Sequence, residues 1–322
     1  MREIRVSTNE AGQRLDKLLH KYLKNATTSF IYKMLRKKNI VLNDKKAEGK
    51  ELLHLGDSVK MYFSEETFAI MAGTVEKKPA AFSLDAFRPR IVYEDTQLLI
   101  VNKPAGWLSQ SDGSSLPSVN EYCLSYLEAT GQLSDTQLLT FKPGIANRLD
   151  RNTSGLILFG KTLPALQELA ALLRDRTLEK YYLAVVQGRI EAPERIDGYL
   201  LKDERTNRVC IRKQAFQDAV EIHTAYAPLK TAEMFTVLRV HLITGKTHQI
   251  RAHLSSIGHP ILGDPKYGNR EANAYYRRAH GVRTQLLHAY ELHFPAKLGG
   301  ALQSLSGKTI RAEAPKEFSN FL

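Results

Sequence analysis

Cysteine is almost absent: Cys123 and Cys210 are the two in 322 residues. That excludes a disulfide framework and a cysteine metal cluster. No apolar run approaches the roughly 20 residues that span a bilayer. The opening Met1-Arg2-Glu3-Ile4-Arg5 lacks the apolar segment of a secretory signal. These absences point to a cytoplasmic protein with no membrane association. Metal-ligand spacings are missing as well. His248 and His253 stand at i, i+5, project from different helix faces and have no matched carboxylate nearby. Gly144 and Gly155 are not followed by Gly-Lys-Ser/Thr, so they form no phosphate loop. No resident metal is expected. Internal repeats and low-complexity tracts are also lacking.

Acidic residues are the minority charge. Lys and Arg number 46 against 34 Asp and Glu, for a net charge of +12 and a pI near 9.5. That balance favours a polyanionic partner. The excess is uneven. Residues 1–64 hold 14 Lys+Arg and 7 Asp+Glu, which places +7 of the +12 on a fifth of the chain. A hydrophobic content of 43% is ordinary for a globular protein and sufficient for one large core and a small accessory domain.

Within the basic segment, Leu15, Leu18, Leu19, Tyr22 and Leu23 recur at helical spacing after Arg14. Thr27, Thr28 and Ser29 can cap a second helix. Its inner face is Phe30, Ile31, Met34 and Leu35, and its outer face carries Lys33, Arg36, Lys37 and Lys38. Asn39 fits a left-handed end to that helix. Ile40-Val41-Leu42 and the alternating Val59, Met61 and Phe63 read as strands, with Asn43-Asp44 as a turn. The reading is a small basic domain over 12–63, then a linker over 64–89 around Lys77-Lys78-Pro79.

The remainder, 90–322, reads as one larger domain. Ile91 to Asp95 and Leu98 to Lys103 form a strand pair, and Ser109 to Pro117 a surface loop. Val119 to Ala129 and Leu163 to Leu173 are amphipathic helices, the second with Leu166, Leu169, Ala170 and Leu173 on its inner side. Lys180 to Val186 is a strand, residues 189–233 are short strands or loops, and Met234 to Leu242 is another strand. Thr247 can cap a helix carrying Ile250, Leu254 and Ile257 inward, and later elements fall near Ala272–Ala279 and Leu286–Phe294. Strands outnumber helices without a βαβα rhythm, so the fold class is α+β with a mixed, mainly antiparallel sheet.

One stretch dominates this domain: Asn147-Arg148-Leu149-Asp150-Arg151-Asn152-Thr153-Ser154-Gly155, followed by the buried run Leu156 to Phe159. Asp150 lies between two arginines at the approach to a strand. Opposite charge keeps a carboxylate ionised, which suits a nucleophile or a base, and equally a structural ion pair. Tyr182 in its strand reads as core, and Arg251 on its helix as a surface charge.

The stretch resembles the first motif of the RluA-type pseudouridine synthases, which usually reads His-Arg-Leu-Asp, two variable residues, then Thr-Ser-Gly. Asn147 stands where that motif has His. Lys180-Tyr181-Tyr182-Leu183-Ala184 is similar to the second motif, and Thr244 to His253 to the third, with Lys246 in place of the usual Arg. The flanking His259 to Gly268 and Leu287-His288-Ala289 match as well. Residues Arg14 to Val59 resemble the small RNA-binding module first seen in a ribosomal protein of the small subunit, the S-four type.

The resemblance implies isomerisation of uridine to pseudouridine inside RNA. The N1–C1′ bond breaks, the uracil turns, and C5 bonds to C1′. The reaction is redox-neutral and imports no atoms, so no cofactor is implied. Asp150 would act at C1′, C6 or C2′, Arg251 would hold it ionised, and Tyr182 would stack on the base. Arg148 would fill the space left by the extruded uridine, with Asn147 beside it. Arg14, Lys17, Lys33, Arg36, Lys37 and Lys38 would contact RNA phosphates. The layout is most like members that modify large-subunit ribosomal RNA, working as monomers. A transfer-RNA enzyme and a non-catalytic RNA-binding protein of the same fold are the alternatives. A nuclease is disfavoured because Asp150 has no acidic partner in its motif.

Overall fold

The computed structural model describes residues 1–72, 83–114, 116–203, 205–206 and 208–322. Two separate sheets organise them.

The first sheet has the order β1-β4-β2-β3 and lies at the N-terminus. Its strands are β1 (Arg2–Arg5), β2 (Ile40–Leu42), β3 (Lys45–Lys46) and β4 (Ser58–Met61), with helices α1 (Leu15–Tyr22) and α2 (Thr28–Arg36) between β1 and β2. The Thr27 hydroxyl accepts from the Phe30 N–H and starts α2. Leu15, Leu18, Leu19, Ile31, Leu35, Ile40 and Val59 close a small core between the helices and the sheet. Because β1 pairs with β4 from Arg2 to Arg5, this unit starts ahead of residue 12. It also extends past 63. Helix α3 (Glu65–Ala72) lies in the stretch read as a linker, and buries Phe68 and Ala72 in the same core. Lys77-Lys78-Pro79 lies outside the described residues. Lys38 (φ +59), not Asn39, takes the left-handed position after α2, while Asn43 and Asp44, both at positive φ, make the β2–β3 turn.

The large sheet carries the rest. In chain order the elements are α4 (Leu84–Phe87), β5 (Ile91–Glu94), β6 (Leu98–Lys103), α5 (Val119–Ala129), α6 (Asp135–Thr140), β7 (Gly144–Ile145), β8 (Ser154–Gly160) and α7 (Leu163–Arg174). Then come β9 (Glu179–Gln187), β10 (Glu194–Asp203), β11 (Arg208–Arg212), β12 (Val220–Thr231), β13 (Phe235–Leu242), α8 (Gln249–Ser256), α9 (Arg270–His280), β14 (Leu287–His293) and β15 (Thr309–Arg311). The strand order is β11-β10-β12-β13-β9-β14-β8-β6-β5, with β7 and β15 at the side. Only β14 and β8 pair in parallel among these neighbours, so the sheet is mixed and mainly antiparallel.

Side chains alternate across the central strands as the two-residue period demands. Leu99, Val101, Ile157 and Phe159 enter one core with α5. Leu98, Ile100, Leu156 and Leu158 enter the other, against Ala165 and Leu169 of α7. Ala170 is exposed, because the inward face of α7 runs through Ala165 and Leu169 rather than through its neighbour. The segment 189–233 holds two long strands, β10 and β12, which pair from Glu194↔Tyr226 to Leu200↔Val220, and the short β11 on the other edge of β10. Helix α6 lies in a stretch whose sequence pattern suggests no element, and its Leu139 packs on the N-terminal core. Thr140 donates to Glu10 across that boundary at 2.7 Å, and the Leu163 N–H donates to Asn9 at 2.9 Å. No helix among the described residues is long and apolar enough to cross a membrane.

Candidate active site

The loop before β8 is fixed by that strand's position. Gly155 has φ +115, and a Cβ there would collide with the Ala289 carbonyl of β14. Glycine is therefore required where β8 and β14 begin their parallel register at His288↔Ser154 and Ala289↔Gly155. Asp150 lies one turn before this point, and the Thr153 N–H donates back to its carbonyl at 3.0 Å. Tyr182 arrives from β9 in register with Ala289 on one side and Val240 on the other.

Arg251 comes from the first turn of α8. Its Nη1 donates to Asp150 Oδ2 at 2.7 Å, and its Nε and Nη2 grip both oxygens of Asp264 at 2.7 and 3.0 Å. Asp264 is fully buried and accepts the N–H groups of Lys266 and Tyr267 at 2.8 and 3.0 Å. A rigid turn thus holds one carboxylate, which holds the guanidinium, which holds Asp150. Such charge-assisted forks are short and directional. Burial opposes the Asp264 anion, but the hydrogen bonds and charge of Arg251 prevail and hold its carboxyl below the ordinary range. Burial likewise opposes the Arg251 cation, and Asp264 and Asp150 more than restore it.

Tyr182 is buried beside this pair. Burial first, then the negative charge of Asp150, push its hydroxyl well above the ordinary phenol range. It enters any reaction as a neutral phenol ring. His248, not Thr247, precedes α8, in a left-handed conformation (φ +54). It stands 3.8 Å from Asp150 Oδ2. His253 bonds Thr224 at 2.9 Å, so the two histidines serve different neighbours.

Asp150, Tyr182 and Arg251 line a cavity of about 1060 Å³ with Arg148, Arg151, Arg174, Arg176, Lys180 and Lys246. Its rim is cationic, and Arg148 is exposed on it. Asn147 lines the cavity as well, with its amide turned to β8. Its amide accepts from the Leu158 N–H at 2.8 Å and donates to the Leu156 carbonyl at 3.2 Å. Both ends of that side chain are engaged by β8, which makes it a clasp on the motif loop. Arg14 is exposed but its guanidinium chelates Asp16 at 3.1 and 2.5 Å. Lys17, Lys33, Arg36, Lys37 and Lys38 are exposed on α1, α2 and the turn that follows.

Lys103 and Asp264 do not stand out in the sequence. Lys103 is fully buried, and its ammonium donates to the carbonyls of Pro104, Trp107 and Arg151 at 3.1, 2.9 and 2.9 Å. Burial drives its pKa down to about 7, against the opposing pull of Asp150. Three acceptors match the three N–H bonds of the charged form. A lysine directly before Pro104 at a strand end is the available signal; Asp264 lies in the Gly/Pro-rich His259–Gly268 stretch that matches the family pattern, which marks the stretch but not the residue.

A part-exposed, arginine-held carboxylate in a cationic cleft, with a buried aromatic ring beside it and no phosphate loop, suits an enzyme that acts on a nucleic-acid base. The comparisons with known proteins agree. The family model for RNA pseudouridylate synthase matches residues 97–256. Ribosomal large subunit pseudouridine synthase C of Vibrio cholerae serotype O1 is 31% identical over 320 residues, covering 98% of this chain and 93% of that one. The protein of the same name from Escherichia coli strain K12 is 30% identical, covering 98% and 92%. Among solved structures, human RNA pseudouridylate synthase domain containing 4 is similar in fold, with a TM-score of 0.58 at 21% identity over 73% of this chain and 92% of that one. The chain belongs to the RNA pseudouridine synthase family.

Proposed function

We propose that this enzyme converts uridine to pseudouridine in large-subunit ribosomal RNA, with Asp150 as the residue that attacks or deprotonates the nucleoside. The Asp150–Arg251–Asp264 chain carries the reading. It orients one carboxylate in the wall of a cleft whose rim is positive. The target RNA is inferred from the names of relatives that share nearly the full length of the chain.

In this reading the uridine leaves its stack, at a cost of a few kcal/mol, and its base lies against the Tyr182 ring. Asp150 bonds to the sugar or base, or takes the C2′ proton; N1–C1′ breaks, the uracil turns and C5 bonds to C1′, after which the bond to Asp150 breaks or the C2′ proton returns, the C5 proton is lost and N1 gains one. Arg251 stabilises the carboxylate as its charge falls and returns. Arg148 enters the vacated space in the RNA. The N-terminal sheet with α1 and α2 forms a docking module whose exposed cations meet phosphate. All the proposed groups come from one chain, as a monomeric cytoplasmic enzyme requires.

The test is a map of pseudouridines in large-subunit ribosomal RNA from a strain lacking the gene, complemented with the parent chain or with Asp150→Asn. Sites should vanish on deletion, return with the parent and stay absent with the variant, while the variant still binds RNA. Loss of transfer-RNA sites in place of ribosomal ones overturns the target, and full restoration by Asp150→Asn removes that residue from the mechanism.

A further inference from the structure

Among the described residues, Asp150 Oδ2 meets two cationic or ring nitrogens, from Arg251 at 2.7 Å and from the His248 ring at 3.8 Å. The second contact is the unusual one. A non-glycine residue at φ +54 is uncommon, and here it swings the imidazole off the start of α8 towards the carboxylate. The ring is nearly enclosed, and its other nitrogen, Nδ1, meets the Tyr267 hydroxyl at 3.0 Å.

That hydroxyl bears on which ring nitrogen holds the proton. The Val209 N–H of β11 donates to Tyr267 Oη at 3.1 Å. With Val209 already donating to its oxygen, the Tyr267 hydroxyl has its own proton to give, and His248 Nδ1 is the acceptor within reach. A neutral imidazole carries one proton, so it resides on Nε2, the nitrogen that faces Asp150. We propose that His248 is a positioning residue: a neutral imidazole, fixed as the Nε2–H tautomer by Tyr267, that steers Asp150 through Oδ2 and leaves Oδ1 for the nucleoside. This inference rests on the role given to Asp150 above.

The groups facing His248 are Asp150, Arg251, Asp264, Lys266 and Tyr267. Burial lowers its pKa first; Arg251 and Lys266 add to that, and Asp150 and Asp264 oppose it. The neutral form has a chemical use. An imidazolium at this distance would compete with Arg251 for Asp150 and weaken the carboxylate as a nucleophile or base. A neutral N–H orients without neutralising.

The tautomer is read directly from the ring nitrogens of protein labelled with ¹⁵N-histidine, using His248→Asn to assign the signals. At neutral pH, wild-type His248 should show an unprotonated Nδ1 and a protonated Nε2. In Tyr267→Phe the lock is gone, and the signals should move towards exchange between tautomers. On RNA, His248→Phe should lose kcat several-fold with KM little changed, because at 3.8 Å the ring aims Asp150 by its dipole and packing rather than by a hydrogen bond. Tyr267→Phe should lose less, and both should melt near the parent temperature. The opposite tautomer or an imidazolium at neutral pH overturns the proposal, as does a Tyr267→Phe spectrum identical to wild type. A His248→Phe enzyme with parental kcat also overturns it. Failure of the role given to Asp150 looks different: Asp150→Asn would stay active whatever the histidine spectrum shows.

Discussion

Asp150, Arg251 and Asp264 are bound into one chain of contacts of 2.7 to 3.0 Å, anchored in a turn. The cations of α2 and its following turn, Lys33, Arg36, Lys37 and Lys38, stand in water. The same residue types therefore do opposite work in the two regions. In the cleft, geometry is set before RNA arrives, and removing one member strands its partners in a low-dielectric site. On α2 each charge is screened, replaceable and nearly independent of its neighbours. A local loss in the cleft should be large and non-additive; a loss on α2 should be small and should scale with the number of cations removed.

The sharpest way to break this contrast is Asp264→Asn. It removes the charge that Arg251 grips, and leaves a buried cation served only by Asp150. We expect a stability loss of about 3–5 kcal/mol and a fall in turnover well beyond that of any α2 variant. The pH dependence carries a sign. Asp264 has a folded pKa below its unfolded value, so its contribution is fully present above the unfolded value of about 3.9. It is lost as pH falls through the lower folded value. Urea unfolding across pH should show this part of the acid limb in the parent and not in the variant. An unchanged acid limb would place Asp264 outside the stability of the cleft.

Lys103→Met tests whether the scaffold under Asp150 depends on a single buried cation. The substitution keeps the stem but removes the ammonium from the Pro104 and Trp107 carbonyls and from that of Arg151, next to Asp150, which keeps the Gly106 N–H. The cost should be at least about 2 kcal/mol, measured by denaturant unfolding, with a drop in kcat as the loop loosens. A variant as stable and as active as the parent would show that β8 and the Asn147 clasp fix the loop unaided.

How far the sequence discloses these two regions follows from where their information lies. The α2 surface is local: helical spacing sorts Ile31, Met34 and Leu35 inward and the cations outward, and the structure has that arrangement. Helix α5 is likewise written in its own residues, with Ser118 and Glu121 forming its capping box. The cleft is not local. Arg251 and Asp264 meet Asp150 only after α8 and the turn beyond it pack against the β8 loop, so pattern alone leaves Arg251 looking like a surface charge. Family resemblance places Asp150, Tyr182 and Arg251 together and covers Asp264 and His248, but it assigns no role to them or to Lys103, whose roles depend on carbonyls and hydroxyls that no motif spells out. The strands β10 and β12 are hidden for a related reason. Their faces are half exposed, and the apolar alternation that marks a strand is diluted there. Asn147 shows the limit of motif transfer, since an amide that clasps β8 is invisible until the strand is in place.

The smallest expected effect lies on α2. Replacing Lys33, Arg36, Lys37 and Lys38 together by alanine should leave kcat on saturating RNA and the melting temperature close to parental values, because none of the four supports the core. RNA affinity should fall. Each cation that meets a phosphate contributes about 0.7 to 0.9 to the slope of log affinity against log salt. The variant's slope should therefore be shallower, by an amount that counts the phosphates these side chains reach, and single replacements should divide that amount nearly evenly. A slope identical to the parent's would assign the four charges to solvent and move the docking surface elsewhere on the chain. A fall in kcat at saturating RNA would do more, since it would mean that α2 helps to shape the cleft and that the two regions are not separate after all.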